Sequence, residues 1–260
     1  MPARKITIGV SLKMYFGHAQ TLEWMRSIAD IARGHPAVRN GSLRLFALPA
    51  FPALPESRQL LAGSGVSLGA QDLFWEDSGA FTGEVGGPVL AELGCRYVEV
   101  GHAERRRIFS EDEAVVAAKT AAVLRNGLTP VLCVGERSRS TAAEAVAACR
   151  EETRSALAQA AGDDGPVVIA YEPQWAIGAS EPAEPEYIRA VCRGLKNAMA
   201  ATEGRTDSAV IYGGSAGPGL LPQLGADTDG LFLGRFAHDP AAFASVLDEA
   251  AAVLEKSAAS

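Results

Sequence analysis

The sequence has only four cysteines, and their arrangement excludes the common cysteine-based sites. Cys95, Cys133, Cys149 and Cys192 are widely separated, with no Cys-X-X-Cys pair and no Cys/His spacing typical of metal ligands. Neither a metal site nor a disulfide framework is indicated. We expect reduced thiols that are mostly buried.

An excess of positive charge and long hydrophobic runs are also missing. Lysine and arginine number 24 against 31 acidic residues, and the net charge of -7 argues against non-specific binding to nucleic acid or anionic membrane. No apolar run approaches the length of a membrane span, and the first residues lead into a strand without a signal-peptide stretch. We expect a cytoplasmic protein without nucleic-acid or membrane partners, in which any anion site is built locally.

What is present is enough apolar sequence for one sizeable core. Of the 260 residues, 48% are hydrophobic and 21% are charged, which is typical of a globular protein. Stretches with helical periodicity alternate with short, β-branched apolar runs. These runs read ITIGV, LRLFALP, VSLGAQ, RYVEVG, TPVLCVG, PVVIAY, SAVIYGG and GLFLG. No linker or break in composition divides the chain, so we expect a single domain over residues 1–260.

The alternation of strands and helices predicts an α/β fold with a parallel sheet. Continuous apolar runs indicate strands covered on both faces, as in parallel sheets with helical crossovers. Eight such units in about 250 residues favour a (β/α)8 TIM barrel over an open doubly wound sheet. Active sites of this barrel are built from the loops that follow the strands, so chemistry is expected just after each apolar run.

Polar residues stand at several of these strand ends. Lys13 follows the first run, Gln71 the third, His102 the fourth, Glu136 the fifth and Glu172 the sixth. Each alone has an ordinary structural explanation, such as a solvated loop lysine, a satisfied core histidine or a rim carboxylate. Together on one rim, a base, an imidazole and a cation form a candidate reaction site.

Glycine-rich loops and one long loop complete this rim. The segments GGS and GR follow the last two runs, where this fold frequently binds phosphate through backbone N–H groups. We therefore expect a small phosphorylated substrate. The segment PQWAIGASEPAEPEY after the sixth run is longer than an ordinary loop, which favours a lid over the alternative of a rigid surface loop.

Five longer segments resemble the signature segments of the triosephosphate isomerase family. They read QDLFWEDSGAFTGEV, EVGHAERR, PVLCVGE, AYEPQWAIG and YGGS, and the similarity covers nearly the whole chain. The resemblance implies that Glu172 is the catalytic base, His102 the electrophile and Lys13 the cation of the site. Proton removal next to a carbonyl leaves an enediolate, which needs these three groups and requires no metal or organic cofactor.

The resemblance also implies supporting roles. Gly178, Ser215 and Gly234 would bind phosphate through backbone N–H groups and the lid. Glu104 would orient Lys13, and Glu136 and Trp175 would support the lid.

A homodimer is implied by the same resemblance. In this family a loop plugs into the neighbouring subunit beside its first-strand catalytic residues. Here that loop reads FWEDSGAFTGEV and contains Thr82. Gln71, Glu84 and Arg105 also fit the interface, as structural rather than chemical residues.

The sequence departs from the family pattern at two positions near the site. Ser11 stands two residues before the lysine, where the family has asparagine, and Arg235 replaces the second of two glycines in the last phosphate loop. Both residues resemble the branch of the family that acts on tetrulose phosphates. Ser11 would give space near the reacting carbon, and Arg235 would bind the phosphate or a further hydroxyl group.

Three functions remain open at this point. The first is isomerisation of L-erythrulose 1-phosphate to D-erythrulose 4-phosphate through an enediol(ate), which the two departures favour. The second is the glycolytic triosephosphate isomerase reaction between dihydroxyacetone phosphate and glyceraldehyde 3-phosphate. The third is a non-catalytic phosphate-binding barrel, which would be expected to lose Lys13, His102 or Glu172, although the chain retains all three.

Overall fold

The structure is a computed structural model that describes residues 4–179 and 181–258. Within these residues, eight parallel strands close into a barrel in sequence order. The strands are β1 (Ile6–Ser11), β2 (Leu43–Leu48), β3 (Val66–Ala70), β4 (Tyr97–Val100), β5 (Thr129–Val134), β6 (Val168–Tyr171), β7 (Ala209–Tyr212) and β8 (Gly230–Leu233). Thr7 of β1 pairs with Gly230 of β8, which closes the ring. The predicted (β/α)8 barrel is therefore confirmed.

Helices lie between the strands and cover the outside of the barrel. The α-helices are α1 (His18–Gly34), α2 (Pro36–Arg39), α3 (Leu54–Leu61), α4 (Gly87–Glu92), α5 (Ala103–Ile108), α6 (Glu113–Arg125), α7 (Ala142–Leu157), α8 (Pro185–Ala200), α9 (Leu221–Leu224) and α10 (Pro240–Ala258). Short 3-10 helices span Phe51–Ala53, Gln174–Ala176, Gly225–Asp227 and Arg235–His238.

Local sequence determines where the longer helices begin and which side they bury. Thr141 and Glu144 form a capping box at the start of α7, in which each side chain accepts the backbone N–H of the other residue. Pro185 begins α8, where its missing N–H costs no helical hydrogen bond. The face that α8 buries recurs at helical spacing and consists of Ile188, Val191, Cys192, Leu195 and Met199.

The barrel packs apolar side chains on both faces of its sheet. One cluster joins strand residues such as Val10 to helix residues such as Met25, so it lies between sheet and helices. The buried members of a second cluster all come from strands, so they fill the inside of the barrel: Phe46, Leu48, Val131, Cys133, Val168, Ala170, Ile211 and Phe232. This two-sided burial explains why the strands are continuous apolar runs.

All four cysteines are buried and unpaired, as expected. Burial raises the pKa of the Cys95 thiol to about 12, so it is a weak nucleophile at neutral pH. Among residues 4–179 and 181–258, no helix is long and apolar enough to cross a membrane. The same residues contain no cluster of three or more potential metal ligands.

Candidate active site

A cavity of about 570 Å³ opens at the rim where the strands end. Its walls come from the loops that follow β1, β4, β6, β7 and β8. The predicted site residues that line it are Ser11, Lys13, His102, Glu104, Glu172, Gly178, Ser215, Gly234 and Arg235. The structure therefore brings together residues that are far apart in the sequence.

Glu172 and His102 face each other inside this cavity. Glu172 directly follows β6, and its Oε2 lies 3.2 Å from His102 Nε2. Both side chains are almost fully buried. Apart from His102, Glu172 Oε2 has no polar partner among the described residues, so a substrate that enters between the two side chains meets an oxygen that can accept a proton.

Two glycines make room for Glu172. A Cβ added at Gly213 would lie 2.4 Å from Glu172 Oε1, and one added at Gly135 would lie 1.9 Å from the Glu172 backbone oxygen. Any side chain at these positions would push the carboxylate out of place, since such distances are far below van der Waals contact. The loops after β5 and β7 therefore fix the position of the carboxylate.

His102 is held from its other side by the start of helix α5. Its Nδ1 accepts the backbone N–H of Glu104 at 3.1 Å, so the side chain caps the helix. Burial is the largest influence and opposes protonation of the ring, but the Glu172 and Glu99 carboxylates together outweigh it and raise the pKa of His102 to about 9. The hydrogen bond from the Glu104 N–H favours the neutral ring instead, because Nδ1 can accept a hydrogen bond only when it carries no proton. The ring nitrogen that faces the cavity is Nε2.

Lys13 places a positive charge beside Glu104 and His102. Its Nζ donates to Glu104 Oε1 at 2.8 Å and lies 3.4 Å from His102 Nε2. Burial lowers the pKa of Lys13, whereas Glu104 and Glu172 raise it, and the net change is a rise, so the side chain stays charged at neutral pH. Lys13 has a φ of 49°, which is uncommon outside glycine. Gln71 supports this backbone by donating its side-chain amide to the Lys13 carbonyl at 3.0 Å.

The opposite end of the cavity is lined by Gly178, Ser215, Gly234 and Arg235. Ser215 has a φ of 55° and Gly178 a φ of 75°, so both loops turn sharply at the cavity wall. Arg235 is exposed at the rim. Burial and, to a smaller extent, the Arg235 guanidinium lower the pKa of His238.

Comparison with known proteins shows which family this chain belongs to. The family model described as triosephosphate isomerase matches residues 6–250. The chain belongs to the triosephosphate isomerase family. An L-erythrulose-1-phosphate isomerase from Pectobacterium atrosepticum is 58% identical over 252 residues, which is 96% of this chain and 97% of that protein.

Relatives of lower identity include both triosephosphate isomerases and L-erythrulose-1-phosphate isomerases. A triosephosphate isomerase from Moorella thermoacetica is 37% identical, covering 88% of this chain and 93% of its own. An L-erythrulose-1-phosphate isomerase from Rhizobium etli is 35% identical, covering 97% of this chain and 95% of its own. The same family thus includes proteins named for two different substrates.

The predicted lid is anchored at its base by Glu136. This carboxylate accepts hydrogen bonds from Trp175 Nε1 at 2.8 Å and from Tyr187 and Tyr171 hydroxyl groups at 2.9 and 3.2 Å. Trp175 lies before the lid tip and Tyr187 after it, in helix α8, so Glu136 joins both sides of the loop. Sequence reasoning found Glu136 and Trp175 but missed the two tyrosines.

Two further contacts join the lid to the loop after β7. Ser215 Oγ lies within hydrogen-bond distance of the Ala176 and Ala179 carbonyls, at 3.1 and 3.0 Å. The Tyr212 hydroxyl accepts the Ala183 N–H at 3.2 Å. In this arrangement the predicted lid segment rests against the rim. Ser180, which belongs to the predicted lid, lies outside the described residues.

None of the residues predicted for a subunit interface lines the cavity. Thr82 and Glu84 are exposed on the loop that follows β3. Arg105 pairs within its own chain, with Asp72 at 2.9 Å and Glu111 at 2.6 Å. Buried Lys119 joins the same two carboxylates, so Arg105 is part of a network that stiffens the base of this loop region: Asp72, Arg105, Glu111 and Lys119.

Sequence reasoning missed one buried carboxyl group near the site. Glu99 lies in the middle of β4 and accepts a hydrogen bond of 2.8 Å from Ser11 Oγ. It was hidden in an apolar run, RYVEVG, that predicted an ordinary strand. The signal was the charge itself, because ionisable residues are almost never fully buried without a partner.

Proposed function

We propose that this protein is a cofactor-independent isomerase that converts L-erythrulose 1-phosphate to D-erythrulose 4-phosphate through an enediol(ate) intermediate. Residues 1–260 would form one isomerase domain. The observation that carries the substrate assignment is the 58% identity, over 96% of the chain, to a protein named for L-erythrulose 1-phosphate. The geometry of Glu172, His102 and Lys13 supports the reaction class.

The proposed reaction moves a proton between neighbouring carbons. Glu172 removes the proton from C3, next to the C2 carbonyl, while His102 Nε2–H donates a hydrogen bond to the carbonyl oxygen. The intermediate takes up a proton at C2, and the hydroxyl proton of O3 is transferred to O2, which leaves the carbonyl at C3. General acid–base catalysis of this kind contributes about 10²- to 10⁴-fold to the rate.

The surrounding groups stabilise the charge that develops. Lys13 lies 3.4 Å from His102 Nε2, so its positive charge is close to the oxygen that becomes negative. A substrate between Glu172 and His102 would separate the carboxylate from the ring. The Glu104 N–H at Nδ1 would then favour a neutral imidazole with its proton on Nε2. The lid excludes water and protects the intermediate from phosphate elimination.

The phosphate would lie at the end of the cavity formed by Gly178, Ser215 and Gly234, with Arg235 at the rim. An arginine offers a planar set of donors that matches phosphate oxygens. A doubly charged sugar phosphate does not cross a membrane unaided, because burying its charge in lipid is too costly. We therefore propose that the enzyme works in the cytoplasm.

An isotope experiment tests the reaction itself. Purified protein is incubated with L-erythrulose 1-phosphate in deuterium oxide and followed by nuclear magnetic resonance. We expect the substrate to be converted to D-erythrulose 4-phosphate with deuterium at the carbon that was the carbonyl, because Glu172 exchanges its proton with solvent. Absence of conversion, with rapid conversion of dihydroxyacetone phosphate, would instead favour the triosephosphate isomerase reaction of the relatives named for it.

Arg235→Gly tests the proposed recognition of the substrate. We expect kcat/KM for L-erythrulose 1-phosphate to fall about ten- to hundredfold, since a charge-assisted contact is lost. If Arg235 binds the further hydroxyl group as well as the phosphate, the loss should be smaller for three-carbon substrates, which lack that hydroxyl group. Steady-state kinetics with both substrates checks this, and Arg235→Lys serves as the control that keeps the charge. An equal loss for both substrates would show that Arg235 does not select between them.

We also propose that the protein is a homodimer. Large apolar side chains are exposed on the loops after β1, β3 and β4: Met14 is 94% exposed, Phe81 42%, Ile108 60% and Phe109 61%. These segments follow strands within the consecutive run β1–β4 of the barrel, and Thr82 and Glu84 lie in the segment after β3. Grouped exposed apolar residues are typical of interaction sites. A partner loop containing Thr82 would cover Met14 and the neighbouring Lys13.

Phe81→Glu tests this arrangement. We expect the variant to run as a monomer in size-exclusion chromatography with light scattering, because the new charge would have to be buried in the interface. Its activity should fall as well, since Lys13 would lose the covering loop. Ala252→Glu adds the same charge at an exposed position on helix α10 and should remain dimeric. A monomeric wild-type protein would contradict the proposal.

A further inference from the structure

Ser11 and Glu99 form a buried polar pair that the proposed reaction does not use. Ser11 ends β1 and Glu99 lies on β4, and their side chains meet inside the barrel with Ser11 Oγ 2.8 Å from Glu99 Oε2. Ser11 is only 3% exposed and Glu99 4%. Ser11 lines the cavity and Glu99 lies behind it. Ser11 is therefore the side chain through which a hydrogen bond of Glu99 reaches the cavity.

The direction of this hydrogen bond determines what Ser11 offers to a ligand. A serine hydroxyl has one donor proton and two acceptor lone pairs. Ser11 donates its proton to Glu99, so only lone pairs remain for the cavity. A carbonyl or phosphate oxygen cannot pair with them, whereas a substrate hydroxyl group can. The pair therefore selects for a ligand that carries a hydroxyl group close to Ser11.

We propose that Glu99 is a positioning residue whose hydrogen bond turns the Ser11 hydroxyl so that Ser11 Oγ accepts a hydrogen bond from the terminal hydroxymethyl group of a four-carbon substrate. This inference rests on the function proposed above and names the group that recognises the fourth carbon. Three-carbon substrates lack this hydroxymethyl group and leave Ser11 Oγ without that partner. The pair is thus a determinant of substrate specificity.

The surroundings of Glu99 are compatible with this role. Its Oε1 lies 4.0 Å from Cys133 Sγ, so Ser11 is its closer polar partner. Burial raises the pKa of Glu99, although His102 and the Ser11 hydrogen bond oppose the rise. A protonated carboxyl group still keeps one acceptor oxygen. The orientation of Ser11 therefore does not require Glu99 to be charged.

A deoxy substrate analogue tests the proposal. The assay compares kcat/KM for L-erythrulose 1-phosphate with that for its 4-deoxy analogue, in which a methyl group replaces the hydroxymethyl group. Wild type should prefer the natural substrate about ten- to hundredfold, because the analogue leaves Ser11 Oγ unpaired. Ser11→Ala and Glu99→Leu should each abolish most of this preference. The double variant should lose no more, since both changes remove one shared contact.

Conservative and distant variants distinguish a positioning role of Glu99 from a purely structural one. Glu99→Gln keeps an acceptor oxygen and should keep the preference for the natural substrate. Ser57→Ala removes a buried serine hydroxyl on helix α3 and should leave the preference unchanged. If Glu99→Leu does not fold, Glu99→Met replaces it, because the flexible methionine adapts to irregular core space.

The outcomes distinguish this inference from the proposed function. A Glu99→Leu or Glu99→Met variant that keeps the preference, or that lowers turnover of both compounds equally, overturns the positioning role. A wild-type protein that isomerises both compounds equally well overturns the inference alone. A wild-type protein that isomerises neither compound contradicts the proposed function, and the inference fails with it.

Discussion

Replacing Glu172 with glutamine is expected to lower kcat about 10²- to 10⁴-fold, the contribution of general acid–base catalysis. Glutamine has nearly the same shape but cannot take up a proton. Glu172 Oε2 is buried in the cavity and, apart from His102 Nε2 at 3.2 Å, has no polar partner among the described residues. Its loss should therefore affect proton transfer rather than substrate binding.

The measurement for Glu172→Gln combines turnover with binding. Initial rates give kcat and KM, and calorimetry with an unreactive phosphate-bearing substrate analogue gives its Kd. We expect a large fall in kcat with a nearly unchanged Kd. Glu152→Gln, which alters a half-buried carboxyl group that accepts the Gly135 N–H, is the structural control and should keep far more activity. Wild-type turnover in Glu172→Gln would remove Glu172 from the proposed role.

Lys13→Met should lower kcat/KM about 10²- to 10³-fold, as expected when a group that stabilises transition-state charge is removed. Methionine keeps much of the length of the side chain but has no charge. Lys13 Nζ lies 2.8 Å from Glu104 and 3.4 Å from His102, so its loss leaves a carboxylate beside the developing negative charge. Both the ground state and the transition state should lose stabilisation.

Thermal unfolding and kinetics separate this effect from misfolding. The Lys13–Glu104 pair is partly exposed, at 25% and 40%, and such pairs contribute about 0–1 kcal/mol to stability. The Tm of Lys13→Met should therefore stay close to that of wild type. Lys13→Arg keeps the charge and should retain more activity than methionine. A methionine variant with wild-type kcat/KM would exclude an electrostatic role for Lys13.

The barrel could be predicted because its strands are buried on both faces and so appear as continuous apolar runs. Helices α3 and α4 were harder to recognise. Both are short and begin with proline within the first two positions, in segments whose proline and glycine content is also typical of loops. Their helical structure depends on packing against the barrel more than on periodicity.

The site could be predicted to the extent that residues follow strand ends. Lys13, His102 and Glu172 each stand at such a point, and the fold brings them to one cavity. Glu99 could not be found in this way, because it lies inside a strand and its importance depends on which face of β4 points inwards. The spatial relation of Ser11 to Glu99, across the barrel, likewise requires the closed sheet.

We propose that the changes at Ser11 and Arg235 adapt a triosephosphate isomerase site to a four-carbon substrate. The most direct test compares kcat/KM of the purified protein for L-erythrulose 1-phosphate and for glyceraldehyde 3-phosphate under identical conditions. We predict the higher value with the four-carbon substrate. A higher value with glyceraldehyde 3-phosphate would contradict the claim and make both changes tolerated variations in an enzyme for three-carbon substrates.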